Sequence, residues 1–271
     1  MHILIKPLMF SLLASAGLSQ QPALTPSANN IRINKLVVES NTLPEAERER
    51  IIGLFQQKTY LQPEIGVRIQ TALRNVGYFK AVVDEPSVSV ITQQQGTIIA
   101  DLTVKVDQGA QYRLREIHFQ NATIFPSTQL RELFPLQSGD LFNATRFSHG
   151  LDKLRKLYGT QGYINCVAEP VVSIDESRRT IDLNVVLDEG KPFNFGQLYL
   201  EGVEPHASAG KALLNSWKPL EGKRYDSREL QYWLMANGSN WNVGPRNPDA
   251  IRTTQKPESN VVNVTLTQWS R

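Results

Sequence analysis

The sequence is poor in the residue types that most chemistry needs. Cys166 is the only cysteine in 271 residues, so no intrachain disulfide is available. It lies in a stretch that reads as a strand and is expected to be a small buried apolar residue. No electropositive neighbour that would activate its thiol stands near it in the sequence. Histidine is scarce as well. His2, His118, His149 and His206 have no ligand-like spacing to one another or to Cys166, so neither a metal site nor a cofactor is expected. No Gly-x-Ser-x-Gly elbow and no phosphate loop occurs, and no enzyme is expected. Asp107, Asp188 and Glu189 stand at strand-to-turn junctions, where turn formation accounts for them.

Charge of one sign is also missing. Lys and Arg number 29 against 26 Asp and Glu, a formal net charge of +3. The two signs are interspersed, and no basic run marks a nucleic-acid partner. Long apolar runs are absent beyond the N-terminus. Residues 7–18 are apolar, about a dozen against the ~20 that a membrane-spanning helix needs. Lys6 precedes that run, and small residues follow it at Ala14-Ser15-Ala16 and Gly17-Leu18-Ser19. This is the layout of a secretory signal over residues 1–19. The mature chain is then expected to be exported and to have no transmembrane segment. Residues 20–30, rich in Gln, Pro, Ser, Ala and Asn, read as a flexible leader.

Beyond the leader the sequence repeats. The most regular stretch is 151–190. Leu151, Leu154 and Leu157/Tyr158, three and four apart, make one apolar helix face, and Gly159 and Gly162 end the helix. Strands follow at 164–174 and 181–187, with Asp175 to Arg179 as the polar turn between them. The unit ends on Asp188-Glu189-Gly190. An earlier copy is visible. A strand at 31–39 precedes two helices, one carrying Ile51, Ile52, Leu54 and Phe55 toward a core and one with Ile65, Ile69, Leu73 and Val76 on one stripe. A strand from Phe79 to Ile91, a turn at 92–96 and a strand at 97–106 follow, closing on Asp107-Gln108-Gly109. The middle copy opens with a strand at 112–119 and two helices, for which Ser127 and Asn143 are candidate caps. In a third copy a strand at 195–201 precedes a helix at 212–217. A further helix is capped by Asp226, and two final strands come at 251–255 and 261–267.

Leu36, Ile117 and Leu198 occupy the same place in the three copies, about 81 residues apart. Gly77-Tyr78 aligns with Gly162-Tyr163, Glu85-Pro86 with Glu169-Pro170, and Gly109 with Gly190. The expected fold is α+β: three tandem β-α-α-β-β modules at 31–109, 110–190 and 191–271. Each is a three-stranded mixed sheet with two helices on one face, and no β-barrel is expected. The third module is degenerate. It lacks a Gly-Tyr before its second strand and ends on Thr267-Gln268-Trp269 in place of Asp-x-Gly. Trp217, Tyr225, Tyr232, Trp233 and Trp241 gather aromatics there, and the sequence does not separate core packing from a docking face.

Such a module, with Gly-Tyr/Phe before its second strand and Val-x-Leu/Val-Asp-x-Gly closing its third, resembles the polypeptide-transport-associated (POTRA) domain. The middle copy carries the resemblance best, through Ile117 to Asn121, Gly139 to Asn143, Leu157 to Tyr163 and Val185 to Gly190. The resemblance implies a place in the periplasm, beside the outer-membrane barrel-assembly or two-partner-secretion machinery. The implied partners are unfolded or extended outer-membrane and exported polypeptides, together with components of that machinery.

The residues themselves point to backbone chemistry. An edge strand offers unpaired N–H and C=O groups to which an extended peptide adds as a further strand. Pro86 and Pro170 interrupt the second strands, and proline belongs at an edge or bulge because it cannot donate to a ladder. The resemblance implies the same strand. The expected peptide-binding edge comprises Phe79, Val82, Val83, Ile164, Cys166, Val167, Val171 and Val172. Against this stands the reading that the prolines protect the edge from pairing. Two other functions stay open: a structural adapter that binds folded envelope partners, and the severed N-terminal half of a barrel-assembly factor.

Overall fold

A computed structural model describes residues 30–202, 208–237 and 250–267. The expected signal, the leader up to residue 29, and Trp241 lie outside the described residues.

The first sheet is built from β1 (Asn30–Glu39), β2 (Thr59–Leu61), β3 (Val82–Val83), β4 (Ser87–Gln94) and β5 (Thr97–Asp107). Its helices are α1 (Glu45–Phe55) and α2 (Ile65–Arg74). β5 lies at the centre, parallel to β1 and antiparallel to β3 and β4. Gln95 and Gly96, both at positive φ (47° and 78°), close the β4–β5 hairpin in two residues. Period-two alternation buries Ala100, Leu102, Val104 and Val106 on one face of β5. The four-residue spacing of Ile65, Ile69 and Leu73 buries one stripe of α2 against them. Truncating Leu102 to alanine in this core would cost about 2–5 kcal/mol.

The middle elements are β6 (Arg113–Gln120), α3 (Ser127–Glu132), α4 (Ala144–Gly159), β7 (Val167–Asp175) and β8 (Thr180–Asp188), with sheet order β6-β8-β7. The last are β9 (Asn194–Glu201), α5 (Ser208–Trp217), α6 (Ser227–Asn237), β10 (Ile251–Lys256) and β11 (Val261–Thr267), with order β10-β11-β9. The second and third groups follow one β-α-α-β-β order, the first follows it with the short β2 and β3 added, and each sheet is open.

Several local expectations change. β2 was not anticipated. It is three residues long and antiparallel to the start of β1, too short to show a period. The strand expected from Phe79 to Ile91 begins at Val82, breaks over Asp84–Pro86 and runs on to Gln94. Ser127 is the first helical residue of α3 rather than its cap. Pro126 holds that place in extended conformation, with no side-chain cap. Asn143 and Asp226 do cap, accepting the amides of Arg146 and Arg228, each at 2.8 Å.

By compactness the described residues fall into two units, and the division runs through the middle elements. The first comprises residues up to Ile117 with Pro135–Ser148 and Val171–Leu183. The second comprises His118–Phe134, His149–Pro170 and the residues from Asn184 onward. In the first unit, Gly77 sits at φ +93° and its carbonyl accepts the Tyr112 amide at 2.8 Å. Asn75 meets Asn143 and Thr145 at 2.8 and 2.9 Å. In the second, Gly162 at φ +80° accepts the Phe193 amide at 2.8 Å in the same way. The core there gathers Phe195, Leu213, Trp217, Leu230, Trp233 and Val264. Trp217 and Trp233 are buried with their indole N–H groups bonded to Gly196 and Ser216 carbonyls, whereas Tyr232 is exposed.

Candidate functional site

The first strand of each sheet has its outer backbone partly occupied by its own chain. Ile33 donates to the Lys58 carbonyl at 2.9 Å and accepts from the Gln57 amide at 2.7 Å. Leu114 does the same with Asp140 and Gly139, and Phe195 with Lys223 and Gly222, every bond at 2.8 Å. The segment between the two helices thus folds back onto β1, β6 and β9 in turn. A residue at positive φ makes each reversal: Gln57, Gly139 and Gly222.

The opposite edges lack such cover among the described residues. β4 pairs with β5 alone, and β7 stands at the end of its sheet. Five of the thirteen exposed large apolar side chains among the described residues lie on these two edges. They are Val82, Val90, Ile91, Val167 and Val171, each 48–60% exposed. All are β-branched, the type that suits a pleated surface. The third terminal strand, β10, carries Arg252 and Lys256, β7 carries Glu169 and Asp175, and charge on an edge resists pairing. β4 carries no charge along its length.

The expected site residues divide into three sets. Val82 and Val83 form β3, the first exposed and the second packed partly against the first core. Val167, Val171 and Val172 lie on β7, the first two exposed and Val172 half-buried. Phe79, Ile164 and Cys166 precede the strands. Phe79 sits edge-on to the Phe142 ring with centroids 5.0 Å apart, and Ile164 packs against the last core. These two follow Gly77-Tyr78 and Gly162-Tyr163, so the repeat uses them for internal packing. Cys166 is buried. Burial, aided by the Glu189 and Asp188 carboxylates, pushes its thiol up to about 11, which leaves it protonated and inert at neutral pH.

The second strand expected to bind, Phe79 to Val90, takes in Ser87–Val90, but the side chains singled out on it stop at Val83, and Ser87–Gln94 form the longer part of the first edge. A signal for them exists in the sequence. Pro86 is followed by Ser-Val-Ser-Val and Pro170 by Val-Val-Ser-Ile, the same alternation after the same proline.

Glu189 also does more than end a turn. Its carboxylate accepts the amides of Thr123 and Ile124 at 2.8 and 3.0 Å, the Tyr158 hydroxyl at 2.7 Å, and the Thr123 hydroxyl. Partial burial pushes its pKa up, but these donors outweigh it and hold the carboxyl below the ordinary range. Gln108 takes the same place in the first copy, bonded to Ser40 and Thr42. Among the described residues no group of three His, Cys, Asp or Glu is placed to hold a metal. No described helix is long and apolar enough to cross a membrane.

An open three-stranded mixed sheet with two helices between its first and second strands, repeated along one chain, is the POTRA fold. Residues 112–190 match the POTRA family model, "Surface antigen variable number repeat", so the chain contains a POTRA domain at its centre. The crystal structure of POTRA domains 3–5 of Haemophilus influenzae BamA superposes with a TM-score of 0.64 at 19% identity. It covers 92% of this chain and 100% of that one, and thereby shows the same fold in the first and last copies. In sequence the chain is similar to the outer membrane protein assembly factor BamA of Buchnera aphidicola, 22% identical over 225 residues. That match takes in 77% of this chain and 35% of the relative, so the chain spans about a third of the relative's length.

Proposed function

We propose that the chain is a periplasmic polypeptide-binding protein associated with outer-membrane protein assembly or secretion. It comprises a signal at 1–19 and three POTRA modules at 31–109, 110–190 and 191–271. It takes up extended client or partner segments by strand addition at β4 and β7. The observation that carries this reading is the contrast between edges. The first strands are partly covered by their own chain, whereas β4 and β7 present exposed β-branched side chains beside open backbone, β4 without any charge. Main-chain pairing is nearly blind to sequence, which suits holding of unfolded chains. Similarity to a BamA supports the setting.

The test is fluorescence anisotropy of a labelled, extended peptide taken from a strand of an outer-membrane barrel. Saturable binding that a Val171→Lys variant weakens supports strand addition. No change in anisotropy up to about a millimolar, a free energy of only ~4 kcal/mol, contradicts it and leaves an adapter that recognises folded partners.

A further inference from the structure

Arg74 is a cation without a counter-ion. It stands half-buried in the last turn of α2. Among the described residues its side chain has neither a hydrogen bond nor an ion pair, and its Nε is shut off from solvent with no acceptor. Burial pulls the guanidinium below its ordinary value, and no carboxylate offsets the effect. The other half-buried arginines of α1 and α2 are paired. Arg48 meets Glu45 at 3.0 Å and the Ser40 carbonyl at 3.1 Å, and Arg50 meets Glu47 at 2.6 Å. Arginine stays protonated in a protein, so Arg74 keeps a charge whose partial removal from water nothing repays.

Helix geometry sets Arg74 on the side of α2 away from the core. Ile65, Ile69 and Leu73 face the sheet. Val67, Thr71 and Arg74, four and three apart, line the opposite side. Val67 is 63% exposed, and the Thr71 hydroxyl is turned back to the Val67 carbonyl at 2.9 Å. Directly after Arg74, Asn75 is bonded to Asn143 and Thr145 at the start of α4. A helix start carries positive partial charge, which also favours an anion here. The amides of Thr145 and Arg146 are already taken by Asn75 and Asn143, so the Arg74 guanidinium is the donor left over.

We infer that this face of α2 docks an acidic, amphipathic helix of a partner protein, with a carboxylate on Arg74 and an aliphatic side chain on Val67. The backbone of α2 is bonded within the helix, so the face offers a partner side chains alone. A partner read through side chains alone, with its own backbone satisfied, is itself a helix. Val67 and Arg74 are two turns apart, about 10 Å along the axis. A leucine and a glutamate seven positions apart on the partner span the same distance. The planar guanidinium takes a carboxylate through two parallel bonds, which supplies the missing charge and an acceptor. Neither β4 nor β7 contributes, so this surface is independent of strand addition.

The test is an NMR titration of the full chain that reads the arginine Nε–Hε signals. The probe is an alanine- and glutamine-rich helical peptide of roughly 18 residues, with one Leu and one Glu seven positions apart. The control replaces that Glu by Gln. The expected result is a saturable shift of the Arg74 Nε–Hε signal, with the Glu peptide binding about tenfold or more tightly than the control. Arg74→Met keeps the stem and drops the charge. It should abolish the preference for Glu while holding or raising the thermal melt, because an unpaired charge has been removed. Equal affinity for the two peptides, or binding of neither, overturns the inference. A melt lowered by Arg74→Met also overturns it, since the guanidinium would then be satisfied in the free chain. Shifts on β4 and β7 report strand addition separately, so failure of one reading is told apart from failure of the other. The peptide comparison uses the unmodified chain, so it decides even if the variant fails to fold.

Discussion

The Phe193 amide donates to the Gly162 carbonyl at 2.8 Å, and Gly162 reaches that position only at φ +80°. The same bond joins Tyr112 to Gly77. The Gly-Tyr pair that marks the repeat in the sequence is thus the place where the end of one helix meets the start of a later strand.

The two glycines should differ in what they tolerate. A Cβ at Gly162 would lie 2.5 Å from the Phe193 carbonyl oxygen, a main-chain atom, whereas at Gly77 the nearest atom would be the Leu141 Cδ2 at 3.0 Å and the nearest main-chain atom the Tyr112 carbonyl oxygen at 3.3 Å. Alanine also carries the left-handed penalty of ~1–2 kcal/mol at both. Urea melts should show a loss of about 3 kcal/mol or more for Gly162→Ala and about 1–2 for Gly77→Ala. Equal losses would mean that the close approach to Phe193 is not what fixes Gly162.

Glu189 should make stability depend on acid. Its folded-state pKa lies below the unfolded value, so its contribution is complete above the ordinary glutamate range. That contribution is lost as pH falls through the folded value. Glu189→Ala strands the Tyr158 hydroxyl and the Thr123 and Ile124 amides, at a cost of about 2 kcal/mol at neutral pH. Denaturant melts from pH 7 to 3 should show the gap between the original chain and the variant narrowing below about pH 4.5. A gap that stays constant would contradict the assigned bonds.

Cys166 should resist alkylation in the folded protein. Its thiol is buried and pushed up to about 11, so little thiolate exists at pH 7.5. Iodoacetamide labelling followed by mass should be slow without denaturant and complete in urea. Fast labelling of the native chain would place Cys166 at an open edge instead.

Pro170→Thr restores a backbone donor on β7. One further hydrogen bond is worth about 1 kcal/mol, or roughly fivefold in affinity, so peptide capture or self-association should strengthen. No change in either, with an unchanged melt, would mean that this position does not face the open edge.

Much of this architecture is legible in the sequence, because each copy repeats its periodicities in the same order. Leu36, Ile117 and Leu198, aligned by spacing alone, are all buried. A further pairing repeats at the same interval without being apparent beforehand. Asn34 bonds Asp101 at 2.7 Å, Arg115 bonds Asp182, and the Gln197 amide bonds Asn263 at 2.9 Å. Such contacts join residues about 67 positions apart, beyond any local period. β2 carries no signal in the sequence for a related reason, since its three residues are strand only through pairing with β1. Phe79 and Ile164 read as strand because apolar residues follow each Gly-Tyr pair, but those side chains pack against elements further along the chain. Turn logic explains the Asp188 side chain, which accepts the Gly190 amide at 3.1 Å. It says nothing of Glu189, whose partners lie 31 to 66 positions away.

Strand addition at β4 and β7 is tested most directly by an amide-resolved NMR titration of the labelled chain with an extended strand peptide from an outer-membrane barrel protein. The account predicts shifts concentrated on Ser87–Gln94 and Val167–Asp175, with β10 and the first strands unmoved. Shifts confined to other elements, or none up to about a millimolar peptide, would contradict it.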